Sequence, residues 1–540
     1  MSLLRSTFNF GAMTLVSRIL GFVRDIVLAR WFGASAATDA FFVAFKIPNF
    51  LRRLFAEGSF SLAFVPVLAE YKARGDEQAL KSLIDATTGA LLSVLLIITG
   101  LGVLFAPWVV RLFAPGFADQ PEQLALATDL LRITFPYLLF IALTALAGGI
   151  LNTLGRFALP ALTPALLNLS LITAAVGFSG RFEQPVTALA WGVLVAGVLQ
   201  LAVQLPSLAR HGVLPRPIPS FRHPGVKRIM TLMLPTLFGS SVAQISLLLD
   251  TLIASLLIAG SISWLYYADR LMEFPLGLFA VALSTVILPT LSRLHSQGAQ
   301  AAFRSTLDWA LLLGLVIGLP SAVGLAVLAQ PLIITLFQYG AFDAQAASMA
   351  SLALMAYCLG LPAFMGVKIL APAYFSRQNA RTPVRIAVTA LAVNMVLNVI
   401  FVLSLAWHFS RGDFAQGLFA TLAAYPGLHA GLALASAGSA WLNAGLLWYH
   451  LRPDGLAPTV SMRRIVQVVF ACLFMAALVT WLAPPVDAWL AQSLWTRAAW
   501  LSGLVLAGAA AYGLVLILSG FRPHHLARPV QVGSIGKPEL

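Results

Sequence analysis

The stretch ATTGALLSVLLIITGLGVLFAPWVV, residues 86–110, carries no charged side chain. An α-helix of about twenty apolar residues crosses the hydrocarbon core of a bilayer, which is about 30 Å thick, so this stretch predicts a transmembrane helix. Further stretches of similar length also lack Asp, Glu, Lys and Arg, namely residues 133–155, 157–180, 184–209, 386–410 and 498–521. Their recurrence predicts a chain that crosses the membrane many times.

The overall composition also indicates a membrane protein. Hydrophobic residues make up 59% of the 540 residues and charged residues only 10%, whereas ordinary soluble domains carry about 25% charged residues. The strands of a membrane barrel would alternate polar and apolar residues, and these Leu, Ala, Val and Gly runs do not. The two cysteines, Cys358 and Cys472, lie far apart within apolar runs, which favours packing over a disulfide or a metal site. We therefore predict an all-α polytopic membrane protein with about fourteen transmembrane helices.

The net charge of +14 raises the question of a nucleic-acid partner. In membrane proteins, however, Lys and Arg concentrate in the loops on the cytoplasmic side. If Met1 is inside and the chain crosses about fourteen times, most basic residues fall in those loops and in the two tails. This distribution predicts cytoplasmic termini and no nucleic-acid partner. Arg18, Arg24 and Arg30 interrupt the first apolar run, so we expect a retained first helix rather than a signal peptide.

The chain divides into two similar halves. Residues Asn49–Ala56 align with Glu273–Ala280, and Leu159-Pro160 recurs as Thr382-Pro383 at nearly the same spacing. Such similarity indicates two parallel repeats of about six helices each, with a substrate site expected at their interface. The predicted parts are an N-lobe at 1–210, a basic cytoplasmic linker at 211–226, a C-lobe at 227–450, and two further helices with a cytoplasmic tail at 451–540.

Charged residues cluster in three of the predicted helices. A charged side chain at the bilayer centre costs about 2.5–3.5 kcal/mol on insertion scales, so it usually faces a cavity or a partner. The first, second and eighth predicted helices, residues 9–32, 36–66 and 262–292, carry Arg18, Arg24, Asp25, Asp39, Lys46, Arg52, Arg53, Glu57, Asp269, Arg270 and Glu273. Asp39, Lys46 and Arg53 recur at heptad spacing with Asn49 between them, which predicts one polar helical face. Pro48 and Pro275 predict kinks in the second and eighth helices, as a gate would need.

Arginine is the commonest basic residue in this cluster. Its planar guanidinium binds phosphate or carboxylate through two parallel hydrogen bonds, which favours an anionic ligand over an inorganic cation. A structural alternative remains open, because long basic side chains can extend to the membrane surface and acid–base pairs can simply lock helices together.

Several segments resemble a known family. They read SRILGFVRD at 17–25, ATDAF at 37–41, IPNFLRRLFAEG at 47–58 and YADRLMEFP at 267–275. Together with the helical layout, these segments are similar to the MurJ (MviN) family of bacterial lipid II flippases, within the multidrug/oligosaccharidyl-lipid/polysaccharide (MOP) exporter superfamily. The resemblance covers nearly the whole chain and is most specific at residues 14–66.

The resemblance implies two lobes that form a V around a cationic cavity, with a groove for a polyprenyl tail at the last two helices. It implies that Arg18, Arg24 and Arg270 bind the substrate diphosphate. From the resemblance and the charge pattern, the residues expected in or near the cavity and its gate are Asp25, Asp39, Asn49, Arg52, Arg53, Glu57, Asp269 and Glu273. Some relatives bind sodium in the second lobe, and Asp250 with Asn394 and Asn398 would supply such a site, although core hydrogen bonding also accounts for these residues.

The implied function is translocation of lipid II, the undecaprenyl-diphosphate-linked disaccharide pentapeptide, across the bacterial inner membrane by alternating access, for peptidoglycan biosynthesis. The chain has no GxxxxGK[ST] loop, so neither ATP hydrolysis nor a cofactor is expected. An ion gradient such as that of sodium, the membrane potential or removal of the product would then drive transport. Coupling to the potential is physically reasonable, since each charge moved is worth about 2.3 kcal/mol per 100 mV. Membrane lipids and the cell-wall synthesis machinery are the other expected partners.

Two other functions stay open at this point. An exporter of drugs or of another polyprenyl-linked glycan would predict fewer cavity arginines. A membrane enzyme acting on polyprenyl diphosphates would need an accessible acidic or histidine cluster, and the predicted outer loops are short and poor in histidine.

Overall fold

The computed structural model describes residues 3–53, 60–414 and 417–522, with the backbone alone at 3–15, 62 and 234–244. Every regular element in these described ranges is helical. The all-α class predicted from the apolar stretches is therefore confirmed.

The helices of the first half, in chain order, are α1 Leu3–Phe32, α2 Ala36–Arg52, α3 Ser61–Ala73, α4 Glu77–Leu104, α5 Ala106–Phe113, α6 Pro121–Thr134, α7 Tyr137–Thr153, α8 Ala158–Gly177 and α9 Thr187–Arg210. Those that follow are α10 Pro224–Ser255, α11 Ser261–Pro275, α12 Val281–Ser296, α13 Gln300–Val327, α14 Ala329–Phe337, α15 Ala344–Cys358, α16 Leu361–Phe375, α17 Arg381–Ser410, α18 Leu418–Ala424, α19 His429–His450, α20 Met462–Leu482, α21 Val486–Leu490 and α22 Leu494–Leu518.

Many of these helices are long and apolar enough to cross a membrane. Ten meet that description in the described part of the chain, and eleven do if α15 and α16 count as one span. These two helices are bent by 44° relative to each other, where the sequence predicts one continuous helix at 345–374. Gly360 and Pro362 lie at the break. Pro362 stands in the first turn of α16 and has no N–H with which to continue the hydrogen bonding of α15. The total of about fourteen crossings stays a prediction.

The helix boundaries support the predicted duplication. The helices α4, α6 and α8 begin at Glu77, Pro121 and Ala158, and α13, α15 and α17 begin at Gln300, Ala344 and Arg381. The interval between partners is the same in all three pairs, and it equals the interval between Leu159-Pro160 and Thr382-Pro383. Two stretches of chain therefore fold into helices with matching starts.

Contacts divide the chain into two compact units. The first is Met1–Ser263 with Tyr339–Phe342, and the second is Trp264–Gln338 with Asp343–Leu540. By these contacts α10 belongs to the first unit, while the predicted lobe boundaries at 210 and 227 follow the sequence repeat and stay a prediction.

Each unit has its own packed core. In the first, Phe64, Leu83 and Leu151 bring α3, α4 and α7 together, and in the second, Phe303 and Ile369 pack α13 against α16. Lipid tails are as apolar as these side chains, so close packing and interhelical hydrogen bonds, rather than burial from water, hold membrane helices together.

Candidate functional site

The predicted site residues lie on three helices and their ends. The structure describes all of them except Glu57, which falls outside the described residues. The α1 and α2 residues belong to the first unit, whereas Asp269, Arg270 and Glu273 of α11 belong to the second.

Arg24 is buried in a polar network on α1. Its side chain donates through Nε and Nη2 to Asp25 Oδ1, at 3.0 and 2.6 Å. Its Nη1 donates to Asn168 Oδ1 on α8 at 3.0 Å, and Asn168 Nδ2 donates in turn to the carbonyl oxygen of Ser17 at 3.1 Å. Arg24 and Asp25 are only 7% and 2% exposed. The guanidinium is thus held in a fixed orientation, with its charge balanced by a neighbouring carboxylate.

Asn168 is a network member that the sequence reasoning missed. It is a buried polar side chain in the middle of the uncharged stretch 157–180. An amide side chain within so apolar a stretch was the sequence feature that could have identified it. The amide packs beside Gly21, where an added Cβ would lie 3.4 Å from Asn168 Nδ2. A small residue at 21 therefore lets α8 bring the amide close to Arg24.

Arg18 is exposed on α1, in contrast to Arg24. The two N-terminal arginines therefore differ in exposure, because the Arg24 side chain is enclosed and that of Arg18 is not.

Asp39 in the first turn of α2 binds the start of α11. Its carboxylate accepts hydrogen bonds from the backbone N–H of Gly260 at 2.7 Å and of Ser263 at 2.8 Å. The Ser263 hydroxyl adds a third at 2.5 Å. The first N–H groups of a helix have no partner within that helix, so Asp39 acts as a capping residue supplied from another helix. It fixes the start of the helix that carries Arg270.

The polar face predicted on α2 makes further contacts within the first unit. Lys46 Nζ donates to Thr251 Oγ1 of α10 at 2.6 Å, and Arg52 Nε donates to Asn49 Oδ1 at 2.9 Å. Arg53 is half-buried just after the end of α2. Of the heptad-spaced residues, Asp39 thus contacts the start of α11 and Lys46 contacts α10.

In the second unit, Arg270 lies on the surface of α11. Its Nη1 donates to Glu273 Oε2 at 3.0 Å, and its guanidinium lies 5.0 Å from the centre of the Tyr266 ring. The side chain is 32% exposed, and Asp269 beside it is half-buried. Arg270 is therefore partly exposed while it is paired with Glu273.

The helical geometry changes directly after the charged residues of α11. Residues Leu276–Ala280 form a π-helical turn that follows Pro275. Proline removes one helical hydrogen bond, and π-helical turns occur often at functional sites. The predicted kink at Pro275 therefore takes the form of a widened turn.

The residues suggested for sodium belong to different units. Asn394 and Asn398 are buried one turn apart on α17 in the second unit, whereas Asp250 is half-buried on α10 in the first. Among the described residues, no group of three or more His, Cys, Asp or Glu side chains could hold a metal ion. A sodium site at these positions stays a prediction.

A cavity of about 900 Å³ lies elsewhere in the first unit. Residues of both charge signs line it, among them Lys72, Lys81, Asp85, His211 and His223. His223 precedes α10, and its Nδ1 accepts a hydrogen bond from the backbone N–H of Gly225 at 3.1 Å. Burial lowers the pKa of His223 below its ordinary value of 6.5. The lining contains none of the predicted site residues.

The architecture is that of the MOP exporters. A solved inward-facing conformation of a multidrug resistance MATE family transporter of the MOP superfamily covers 83% of this chain, and the match covers 98% of that structure. The TM-score is 0.65 at 14% sequence identity. A likeness at this identity establishes the fold alone, which is that of a polytopic helical membrane protein.

Closer comparisons establish the family. A solved lipid II flippase MurJ in an inward closed conformation matches with a TM-score of 0.77 at 28% identity, covering 94% of this chain and 98% of that one. The family model described as lipid II flippase MurJ matches residues 28–499. The probable lipid II flippase MurJ of Vibrio cholerae is 44% identical over 96% of this chain and 97% of its own. The lipid II flippase MurJ of Burkholderia cenocepacia is 42% identical over 98% and 99%.

The chain therefore belongs to the MurJ family of lipid II flippases, and it is a multi-pass membrane protein. This confirms the resemblance seen in the short segments. The family is one of transporters, so the alternative of a membrane enzyme is not retained.

Proposed function

We propose that this chain moves lipid II from the inner to the outer leaflet of the bacterial cytoplasmic membrane. The observation that carries the proposal is the match along nearly the whole chain to proteins named lipid II flippase. A diphosphate headgroup meets a large barrier in hydrocarbon, because an isolated charge there loses its hydration. A pathway lined by basic side chains lowers that barrier, which is the role proposed for the α1 and α11 arginines.

Arg18, Arg24 and Arg270 are the proposed contacts to the diphosphate, and their surroundings suggest different roles. Arg18 and Arg270 are accessible to an entering anion. Arg24 is already bound to Asp25 and Asn168, so it would have to exchange one of these partners for a phosphate oxygen. We propose that the accessible arginines capture the headgroup and that Arg24 binds it at a later step of alternating access.

The proposed transport is powered by the membrane potential or by a sodium gradient, with both termini in the cytoplasm. A cationic pathway that changes its exposure between the two sides would respond to the potential, at about 2.3 kcal/mol per charge and 100 mV. Contacts with the cell-wall synthesis machinery are part of the same proposal.

The test uses cells depleted of their own flippase. The chain and its Arg18→Ala, Arg24→Ala and Arg270→Ala variants are expressed at matched levels, and lipid II accessible at the outer leaflet is quantified. The parent should restore outward exposure, and each variant should lose most of it. Arg132→Ala is the matched control, because Arg132 forms an exposed ion pair with Asp129 at 3.2 Å and should leave transport unchanged.

Two outcomes would contradict the proposal. Normal transport by all three variants would mean that the arginines serve structure alone. Failure of a well-expressed parent to expose lipid II would favour export of another polyprenyl-linked glycan or of drugs, and uptake assays with those compounds would then decide.

A further inference from the structure

Two extended segments occupy equivalent places at the ends of the two repeats. The first connector, residues 211–223, joins α9 to α10, and the second connector, residues 451–461, joins α19 to α20. Each has a glycine with a left-handed backbone, Gly212 at φ 70° and Gly455 at φ 67°. Directly after it, the N–H of Val213 donates to Leu208 and that of Leu456 donates to Leu451, both at 3.1 Å. The same turn closed by a left-handed glycine thus ends α9 and follows the end of α19.

The residue after each glycine is buried in the core of its own unit. Val213 packs with the α3, α4 and α7 side chains, and Leu456 packs with the α12, α13 and α16 side chains. Each connector therefore begins as an anchored segment rather than as a free loop.

An aspartate on α4 in the first repeat, and one on α13 in the second, then binds the connector. On α4, Asp85 Oδ1 accepts the backbone N–H of Arg216 at 2.7 Å. On α13, Asp308 Oδ1 accepts the backbone N–H of Thr459. Arg216 and Thr459 lie the same number of residues beyond their respective glycines, so the two aspartates bind the same position of each connector.

A basic residue one turn before each aspartate completes the contact. Lys81 Nζ bonds to Asp85 Oδ1 at 2.7 Å and also donates to the carbonyl oxygen of Leu214. Arg304 Nη2 donates to Thr459 Oγ1 at 3.0 Å. Lys81 and Arg304 differ by the helix-start interval of α4 and α13, and so do Asp85 and Asp308.

The two repeats differ one helical turn after these aspartates. Gly89 lets the first connector lie directly on α4, since an added Cβ would be 2.2 Å from the carbonyl carbon of Ile218. At the equivalent position of α13 stands Leu312, a buried side chain. The aspartate and its basic neighbour, rather than the close backbone approach, are therefore the part shared by both repeats.

We propose that Asp85 and Asp308 are duplicated positioning residues, each of which anchors the connector at the end of its repeat and thereby fixes where the next helix begins. The first determines the entry into α10 and the second the entry into α20. The same backbone position of each connector donates to the aspartate, so the repeated pairing is a specific contact. The role is independent of which lipid-linked substrate is carried.

The test compares Asp85→Ala and Asp308→Ala with the parent by amide hydrogen exchange in detergent or nanodiscs. Asp85→Ala should speed exchange in residues 213–219 on the order of tenfold and leave 456–460 unchanged, and Asp308→Ala should do the reverse. Asp129→Ala, which removes an exposed carboxylate, is the control and should change neither. Asp85→Asn keeps an oxygen acceptor and should restore much of the protection.

Transport of the same variants supplies a second readout. Asp85→Ala should lower lipid II exposure at matched expression, because it loosens the connector between the repeats. Unchanged exchange in both connectors would overturn the proposal. So would faster exchange across the whole protein in either variant, since that would indicate general loss of stability. Failure of the parent to flip lipid II would affect the proposed function alone, because the exchange result stands without transport.

Discussion

At the residue scale, the state of Arg24 depends on a neutral side chain from another helix. Asn168 accepts from the buried guanidinium and donates to the Ser17 carbonyl, so Asn168→Ala removes one hydrogen-bond acceptor of Arg24 and one contact between α8 and α1. A hydrogen bond to a charged group contributes about 1.5–3 kcal/mol. We expect Asn168→Ala to lower the melting temperature in detergent and to reduce lipid II exposure in flippase-depleted cells.

The control for this prediction lies on the same helix. Thr163 is buried, and its hydroxyl bonds only to the nearby Pro160 carbonyl among the described contacts, at 2.8 Å. Thr163→Ala should therefore change stability and transport much less. Equal losses from both substitutions would show that α8 is merely sensitive to any polar deletion and would remove the special role of Asn168.

At the element scale, the start of α10 depends on the protonation of His223. Neutral His223 accepts a hydrogen bond from the Gly225 N–H through Nδ1, and burial lowers the pKa of the ring in the folded state. Below the ordinary pKa of 6.5 the unfolded chain therefore binds more protons than the folded one. The free energy of unfolding should be constant above that pH and should fall as the pH drops through it.

Melting curves between pH 7.5 and pH 5.5 measure this effect. Asn is a good capping residue that does not titrate, so His223→Asn should retain stability at neutral pH and lose part of the decline in acid. A decline of the same size in the parent and in His223→Asn would assign the acid sensitivity to other groups.

At the scale of the whole molecule, the arginines of the proposed pathway predict a response to the membrane potential. Arg18, Arg24 and Arg270 would move relative to the membrane field during alternating access. Each elementary charge is worth about 2.3 kcal/mol per 100 mV, enough to change a rate by more than tenfold. Collapse of the potential with valinomycin and potassium should therefore lower outward lipid II exposure several-fold.

The matched experiment removes sodium while the membrane potential is held constant. If exposure depended on sodium and not on the potential, the role of Asp250, Asn394 and Asn398 would become the leading explanation. Substitution of Asn394 or Asn398 by Ala would then be expected to change the sodium dependence.

The sequence by itself determined the elements of this protein, because hydropathy and helix-breaking residues act locally. The apolar stretch 157–180 predicted α8 to within a few residues of Ala158–Gly177, and the short charged segments predicted the family. Local signals missed the break in 345–374, where Gly360 must lie against α19 and an added Cβ would be 2.6 Å from Ala437 Cα.

Only the tertiary structure decided which polar groups meet. Asn168 binds Arg24, Asp39 binds the N–H of Gly260, and the two aspartates of α4 and α13 bind connectors far along the chain. Nothing in the local sequence distinguishes a carboxylate that binds substrate from one that caps a distant helix. The difference arises when packing excludes water and leaves each buried donor and acceptor to the partner that the fold brings within hydrogen-bonding distance.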